Sequence, residues 1–358
     1  MTVSSTDRTT AGTTGLHRGR VRIGGDRAHV VVHMRALLVT ITVLAATAAL
    51  AVLGLTLGEF PVSPAEVIGA FTGRVDGLAA TVVLEWRLPR VAAAVVFGAA
   101  LAVAGGVFQT LTRNPLASPD IVGLANGSFT GMILALLLLG GSWPLLMAGS
   151  LFGGLAAAVV IALLAARDGL RGFRFIVIGI GVSAMLASLN SWMLLRADLE
   201  TALFAAAWGA GSLNNVTEET AWPAIGVLAI LLALCAFLVR PLKQLSLGDD
   251  VATATGIGLV RSRLALIGVA VALVAVVTTV AGPVAFVALA APQIARRLVA
   301  GAGIPLAASA AMGGALLLGA DLIAQHAIPL TVPVGVVTVV IGGAYLVVLI
   351  ARELRTVP

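Results

Sequence analysis

Few residues in this chain could do chemistry, and their spacing excludes more than it offers. Lysine occurs once, at Lys243, followed by Gln244 with no glycines before it. No Gly-x-x-x-x-Gly-Lys-Ser/Thr loop therefore exists to cradle the phosphates of a nucleotide. The four histidines are His17, His29, His33 and His326. None has the His-Glu-x-x-His spacing of a zinc protease, and His29 with His33 has no further ligand beside it. A Gly-x-Ser-x-Gly elbow that would present a serine nucleophile is also missing. Cys235 is the single cysteine and lies in an apolar run, so it reads as a buried hydrophobe. No catalytic residue, no metal site and no cofactor bound by the chain itself are expected. The chain reads as something other than an enzyme.

One polar stretch stands apart from its surroundings. Leu245 to Leu259 includes Leu247, Gly248, Asp249, Asp250, Ala252 and Gly256, and apolar runs close in on both sides. Gly248 or Asp249 can cap a short helix whose two acids oppose the positive end of its dipole. Gly256 is a natural stop. A second short turn, Leu259 to Arg263 with Arg261 in it, is expected to follow. A plain connector needs only a few residues. An ordered helix-turn-helix there implies a surface built to touch something.

The elements that hold this surface are membrane spans. Hydrophobic residues make up 59% of the chain and charged residues 11%, whereas a soluble domain carries about a quarter charged residues. The apolar runs are apolar all round and rich in Gly and Ala, which favours closely packed helices over a lipid-facing strand barrel. The expected fold class is an all-α integral membrane protein. Residues 1–34 read as a disordered cytoplasmic tail and 35–358 as one transmembrane domain, with 245–263 as its short cytoplasmic helices. The candidate spans are Ala36–Leu57, Val91–Leu111, Ile121–Leu139, Leu145–Ala166, Phe175–Leu195, Ala224–Val239, Leu264–Ala281, Val284–Val299, Pro305–Ile323 and Val332–Ile350. That is about ten, most near the ~20 residues a bilayer needs, with the Pro292-containing run the shortest.

Basic residues set the orientation. With the N-terminus inside, only Arg74, Arg87, Arg90 and Arg196 of the 22 Lys and Arg residues fall outside. Both termini and the acidic stretch are then cytoplasmic. The net charge of +6 is thus a topology signal and an affinity for membrane lipid, with no nucleic-acid partner implied. Asp321 and Asp120 are the acids nearest the spans. Each is expected to cap a helix or pair with an arginine, in preference to relaying protons. With no engine of its own, the chain is expected to borrow one through the acidic stretch.

Several motifs then become specific. Arg87-Leu88-Pro89-Arg90 precedes Gly98-Ala99-Ala100-Leu101-Ala102-Val103-Ala104-Gly105-Gly106-Val107-Phe108-Gln109 and Arg113-Asn114-Pro115-Leu116-Ala117-Ser118-Pro119-Asp120. Leu247-Gly248-Asp249-Asp250, Gly282-Pro283-Val284-Ala285-Phe286 through Pro292-Gln293 to Arg296-Arg297, and Val332-Pro333-Val334-Gly335 follow in order. In these the chain resembles the iron-siderophore and vitamin B12 permease family of bacterial ABC importers, over most of its length. Within that family Leu199 to Leu203, Trp208 and Gly211-Ser212-Leu213-Asn214 resemble the ferric enterobactin branch.

The resemblance implies a type II importer fold of ten spans in the bacterial cytoplasmic membrane. It implies work as a pair with a second permease, here a different chain, above two ATP-binding subunits that hold ATP and Mg. A siderophore-binding protein outside would deliver the ferric siderophore. Leu247, Gly248, Asp249, Asp250, Ala252, Gly256 and Arg261 would dock the ATPase. Arg87 and Arg90 would meet acids on the binding protein. Asn114 and Leu116 would close the inner mouth, opposite a loop near Arg171-Gly172-Phe173. Arg296 and Arg297 would lie at the inner face. Two positions depart from the family pattern: Gln325, followed by His326, replaces a third docking arginine, and Gln293 replaces a histidine. Asn126, Ser128 and Asn190 are expected to line the path. The implied cargo is a catecholate chelate. Hydroxamate siderophore, haem and cobalamin are the alternatives within the machine, and a proton-coupled carrier or a membrane scaffold are the alternatives to it.

Overall fold

The computed structural model describes residues 20–23, 30–119, 123–140, 142–166, 172–301, 303–327 and 332–356. Two short strands come first, β1 Arg20–Ile23 and β2 Val30–His33, paired antiparallel with Arg20 opposite His33. Both lie in the stretch ahead of the first helix. Val and Ile dominate these segments, and branched side chains favour the extended backbone.

Helices form the rest. α1 is Met34–Thr56, α2 Pro64–Phe71 and α3 Leu78–Thr81. A π turn, Val82–Arg87, leads into α4, Leu88–Thr112, in one 35-residue run. α5 is Leu124–Leu139, α6 Trp143–Ala166, α7 Gly172–Arg196, α8 Leu199–Gly209 and α9 Glu218–Phe237. α10 is Val239–Leu247, α11 Asp249–Ala254 and α12 Leu259–Ala281. α13 is Val287–Val299, α14 Leu306–His326 and α15 Val334–Thr356.

Among the described residues seven helical runs are long and apolar enough to cross a bilayer: α1, the α3–α4 run, α6, α7, α9, α12 and α14. Leu124–Leu139 and Val334–Val348 are shorter apolar helices. Each expected span thus overlaps a helix, with Ile121 and Val122 outside the described residues, but length and apolarity alone support seven. One boundary is corrected. The turn expected at Leu259–Arg263 is no separate element; it is the first turn of α12. Polar residues at its start mark where the helix leaves the apolar layer, and nothing there breaks the backbone.

α4 is the central post. Its apolar window is 78% buried, against 11% for α1 at the periphery. Small residues permit this. Gly98 faces the backbone of Gly313 on α14, and Gly105 faces the carbonyl of Ala288 on α13, so that a Cβ at either would collide. The second approach has a local cause. Pro292 has no N–H to give the Ala288 carbonyl within α13. That carbonyl rests on Gly105 instead. α5 and α6 meet the same way, through Gly127 and Gly131 against Gly149 and Gly153.

Relative directions follow from these contacts. Gly54 packs on Val91 and Gly313 on Gly98, so α1 and α14 run antiparallel to α4. Gln109 bonds Leu289 while Gly105 meets Ala288, so α13 runs parallel to it. One end of the bundle therefore gathers the C-termini of α4 and α13 and the start of α1. The other gathers Arg87, Arg90 and the end of α14.

Candidate functional site

At the first end, α10, α11 and the start of α12 form a knob. Gly248 separates the two short helices at φ 127°, a backbone that side chains other than hydrogen resist. Leu242, Leu245 and Ala252 are buried and seat the knob on the bundle. Gly256, at φ 82°, donates its N–H to Thr253 O and ends α11. Leu247, Asp250, Val251, Val260 and Arg261 face outward. The two acids differ. Asp250 is exposed, whereas Asp249 receives Arg263 Nη2 at 2.7 Å and Arg113 Nη2 at 3.4 Å. The expected docking set therefore divides into outward side chains (Leu247, Asp250, Arg261), a seated one (Ala252), two backbone breaks (Gly248, Gly256) and one internal ion-pair partner (Asp249).

Beside the knob, Arg113 ends α4 in the left-handed region at φ 52°. Asn114 follows, and its Oδ1 accepts the Leu116 N–H at 2.9 Å. This local turn presents Leu116 to the exterior. Asp120 and Arg171 lie outside the described residues. On the same end, the Arg297 guanidinium sits 5.9 Å from the centre of the Tyr345 ring, and Arg296 is half-buried. Arg35 Nε donates to Leu298 O at 2.8 Å and pins the start of α1 to the end of α13. Deeper in, Gln293 Nε2 donates to Gln109 Oε1 at 2.6 Å, and Gln109 Nε2 donates to Leu289 O at 3.0 Å. The departure at Gln293 thus supplies a buried hydrogen bond between α4 and α13.

At the opposite end both arginines turn inward. Arg87 donates from Nη1 to Leu55 O at 2.9 Å and from Nη2 to Phe60 O at 2.6 Å, fixing the turn after α1. Arg90 meets Asp321 with Nε and Nη2, at 2.9 and 2.8 Å, and Nη2 also reaches Asn214 Oδ1 at 2.7 Å. Gln325 Nε2 donates to Asp321 Oδ2 at 2.6 Å. Of the two roles the sequence left open for Asp321, capping a helix or pairing with an arginine, the structure shows the second. Asn214 and Gln325 complete a network that sequence reasoning did not assemble. A lone acid in an apolar helix was its only signal.

Two of the three expected path-lining residues are corrected. Ser128 and Asn190 are buried. Asn190 Oδ1 accepts from Thr130 Oγ1 at 2.7 Å, and Asn190 Nδ2 donates to Asn126 O at 3.2 Å, which locks α5 to α7. Polar groups in apolar helices must find partners, and these find each other. Asn126 alone of the three borders open space. It bonds Ser183 Oγ at 2.7 Å and lines a cleft of about 500 Å³ with Phe129, Ala210, Pro283 and Val336.

Two acids outside the spans have carboxyls held below their ordinary range. Glu66 is lowered by hydrogen bonds from the Ser63 backbone and hydroxyl in a capping box at the start of α2. Asp198 is lowered by the Thr201 backbone N–H at the start of α8. Among the described residues no three His, Cys, Asp or Glu gather where they could hold a metal ion.

The chain is similar to known transport proteins over nearly its whole length. It is 44% identical to the ferric enterobactin transport system permease protein FepG of Escherichia coli K12, over 90% of this chain and 98% of that protein. It is 34% identical to FepD of the same strain, also named a ferric enterobactin permease protein, over 85% and 92%. The Bacillus subtilis protein YfhA, named a siderophore transport system permease, is 33% identical over 89% and 95%. A solved structure described as an inward-facing metal-chelate type ABC transporter superposes with a TM-score of 0.79 at 25% identity, covering 88% of this chain and 99% of that one. The FecCD transport family model matches residues 43–352, and the chain, a multi-pass membrane protein of helices around α4, belongs to that family.

Proposed function

We propose that this chain is the permease subunit of an ABC importer that moves a ferric siderophore, of the catecholate class, across the bacterial cytoplasmic membrane. The observation that carries the reading is the 44% identity to FepG across 98% of that protein. The knob gives it a physical part. Leu247, Asp250, Val251 and Arg261 offer an outward surface on a hinge, suited to two ATP-binding subunits that hold ATP and Mg. Ten spans and both termini in the cytoplasm complete this topology, supported by the placement of basic residues. Arg296 and Arg297 then lie at the inner face, at the same end of the bundle as the knob, and Asn114 with Leu116 at the inner mouth.

The likeness to both FepG and FepD supports a pore made with a second, different permease chain. A binding protein outside would deliver the chelate to the end that carries Arg87 and Arg90. Both arginines already satisfy internal partners there. Their role in docking is to hold that rim in shape, with any carboxylate of the binding protein sharing Arg90 with Asp321.

The test is uptake of radioactive iron by proteoliposomes holding the permease pair, the ATPase and the binding protein. Ferric catecholate is expected to enter only with ATP, and unlabelled catecholate to compete better than hydroxamate, haem or cobalamin. Preferred hydroxamate uptake would move the cargo to the hydroxamate class. Uptake driven by a proton gradient without nucleotide would overturn the reading.

A further inference from the structure

Arg113 occupies a backbone position that its side-chain type does not favour. It closes α4 at φ 52° and ψ 31°. Glycine or asparagine is the ordinary residue there, because a Cβ crowds the following carbonyl. The arginine has a use for its length. Its Nη2 lies 3.4 Å from Leu245 O and 3.4 Å from Asp249 Oδ1. Leu245 belongs to α10 and Asp249 begins α11, so one nitrogen touches both sides of the Gly248 hinge. Beyond its two chain neighbours nothing stands within 4 Å of where a Gly248 Cβ would be, so no other element packs against the break between α10 and α11 on that side. In the other direction the chain passes from Arg113 straight into Asn114, whose Oδ1 shapes the turn that presents Leu116, 44% exposed.

We infer that Arg113 is a positioning residue that couples movement of α11 to the Asn114–Leu116 turn, so that the ATPase contact and the inner mouth shift together. The inference rests on the reading of the chain as an ABC permease. When α11 tilts about Gly248, the distance from Arg113 to Asp249 changes while that to Leu245 holds, and the end of α4 is drawn along. Asp249 has its own anchor, Arg263 at 2.7 Å. The knob therefore stays seated on α12 without Arg113. A half-exposed ion pair of this length adds little to stability. Its removal isolates coupling from folding.

The experiment uses the full complex in proteoliposomes and compares Arg113→Gly, which suits the left-handed backbone, with Arg113→Lys, which restores a cation. Arg113→Gly is expected to assemble and hydrolyse ATP within about twofold of wild type while chelate moved per ATP falls roughly fivefold or more. Arg113→Lys is expected to recover most of the loss. A second measurement follows thiol labelling of Leu116→Cys in a Cys235→Ala background. The labelling rate is expected to respond to ATP when Arg113 is present and to lose that response in Arg113→Gly. Wild-type stoichiometry in Arg113→Gly, or equal loss of hydrolysis and transport, overturns the inference. A wild-type complex that shows no ATP-coupled uptake overturns the underlying reading instead, so the two failures are distinct.

Discussion

Arg90 and Asp321 meet in a two-pronged ion pair at 2.9 and 2.8 Å, with the carboxylate only 1% exposed. The pair joins the start of α4 to the end of α14. Removing one member leaves the other charge buried and uncompensated, at about 3–5 kcal/mol. Asp321→Ala is therefore expected to lower the apparent melting temperature in detergent sharply. Arg90→Met with Asp321→Leu is expected to cost less than the two single changes summed. A simple sum would show that the pair contributes no coupling.

The two acids of the knob are expected to separate by experiment. Asp250 is exposed, and Asp250→Arg should stay within about 0.5 kcal/mol of wild-type stability while abolishing stimulation of ATP hydrolysis by loaded binding protein. Asp249→Asn weakens the contacts of Arg263 and Arg113 and should loosen the knob itself, seen as faster proteolysis at 245–263. Full hydrolysis in Asp250→Arg would remove the knob as the ATPase contact.

The limits of the sequence are visible in these same residues. Asp321 announced that it needed a helix N-terminus or an arginine, because an ionised carboxylate cannot stand alone among apolar helices. Which arginine it takes depends on the antiparallel packing of α4 and α14, 231 positions apart. Arg87 finds backbone carbonyls, Leu55 O and Phe60 O, and no side-chain pattern advertises those. Ser128 and Asn190 looked like path-lining groups because polarity marks them equally for water or for a neighbouring helix. The knob was legible because its glycines and acids are local signals. The continuity of α12 through Arg261 and Arg263 was not, since charge at a helix end resembles a turn.

Close helix packing makes a graded prediction. Gly105→Ala would drive a methyl into the Ala288 carbonyl, which Pro292 leaves without its helical donor. Overpacking of this kind costs about 1–3 kcal/mol, read as a lower yield of monodisperse protein and a lower melting temperature. Gly226→Ala on α9 is the control. No neighbour lies within 4 Å of its Cβ position, and alanine there should match or exceed wild type.

Acid should loosen α2 first at its capping box. The Glu66 carboxyl is held below its ordinary value of 4.5 by Ser63. A lowered folded pKa means stabilisation that is complete above the ordinary value and is lost as pH falls through the folded one. Amide exchange across Pro64–Phe71 is expected to quicken over that interval in wild type. Glu66→Gln should flatten the dependence. An unchanged pH profile in that variant would assign the loosening to another group.

The Gln109–Gln293 bond tests whether a buried amide pair holds α13 to α4 or merely fills space. Gln293→Leu leaves Gln109 Oε1 facing apolar side chains with no donor, a loss of about 1–3 kcal/mol. Gln109→Leu leaves Gln293 Nε2 similarly short of an acceptor. Changing both to leucine removes the amides together, and α13 is expected to regain most of the lost stability. If the amide bond also keeps α13 in register with α4, the double variant should fold and still transport poorly, because α13 carries Arg296 and Arg297 at the end of the bundle that bears the knob. Normal stability together with normal uptake in the double variant would mean that the amides only satisfy each other.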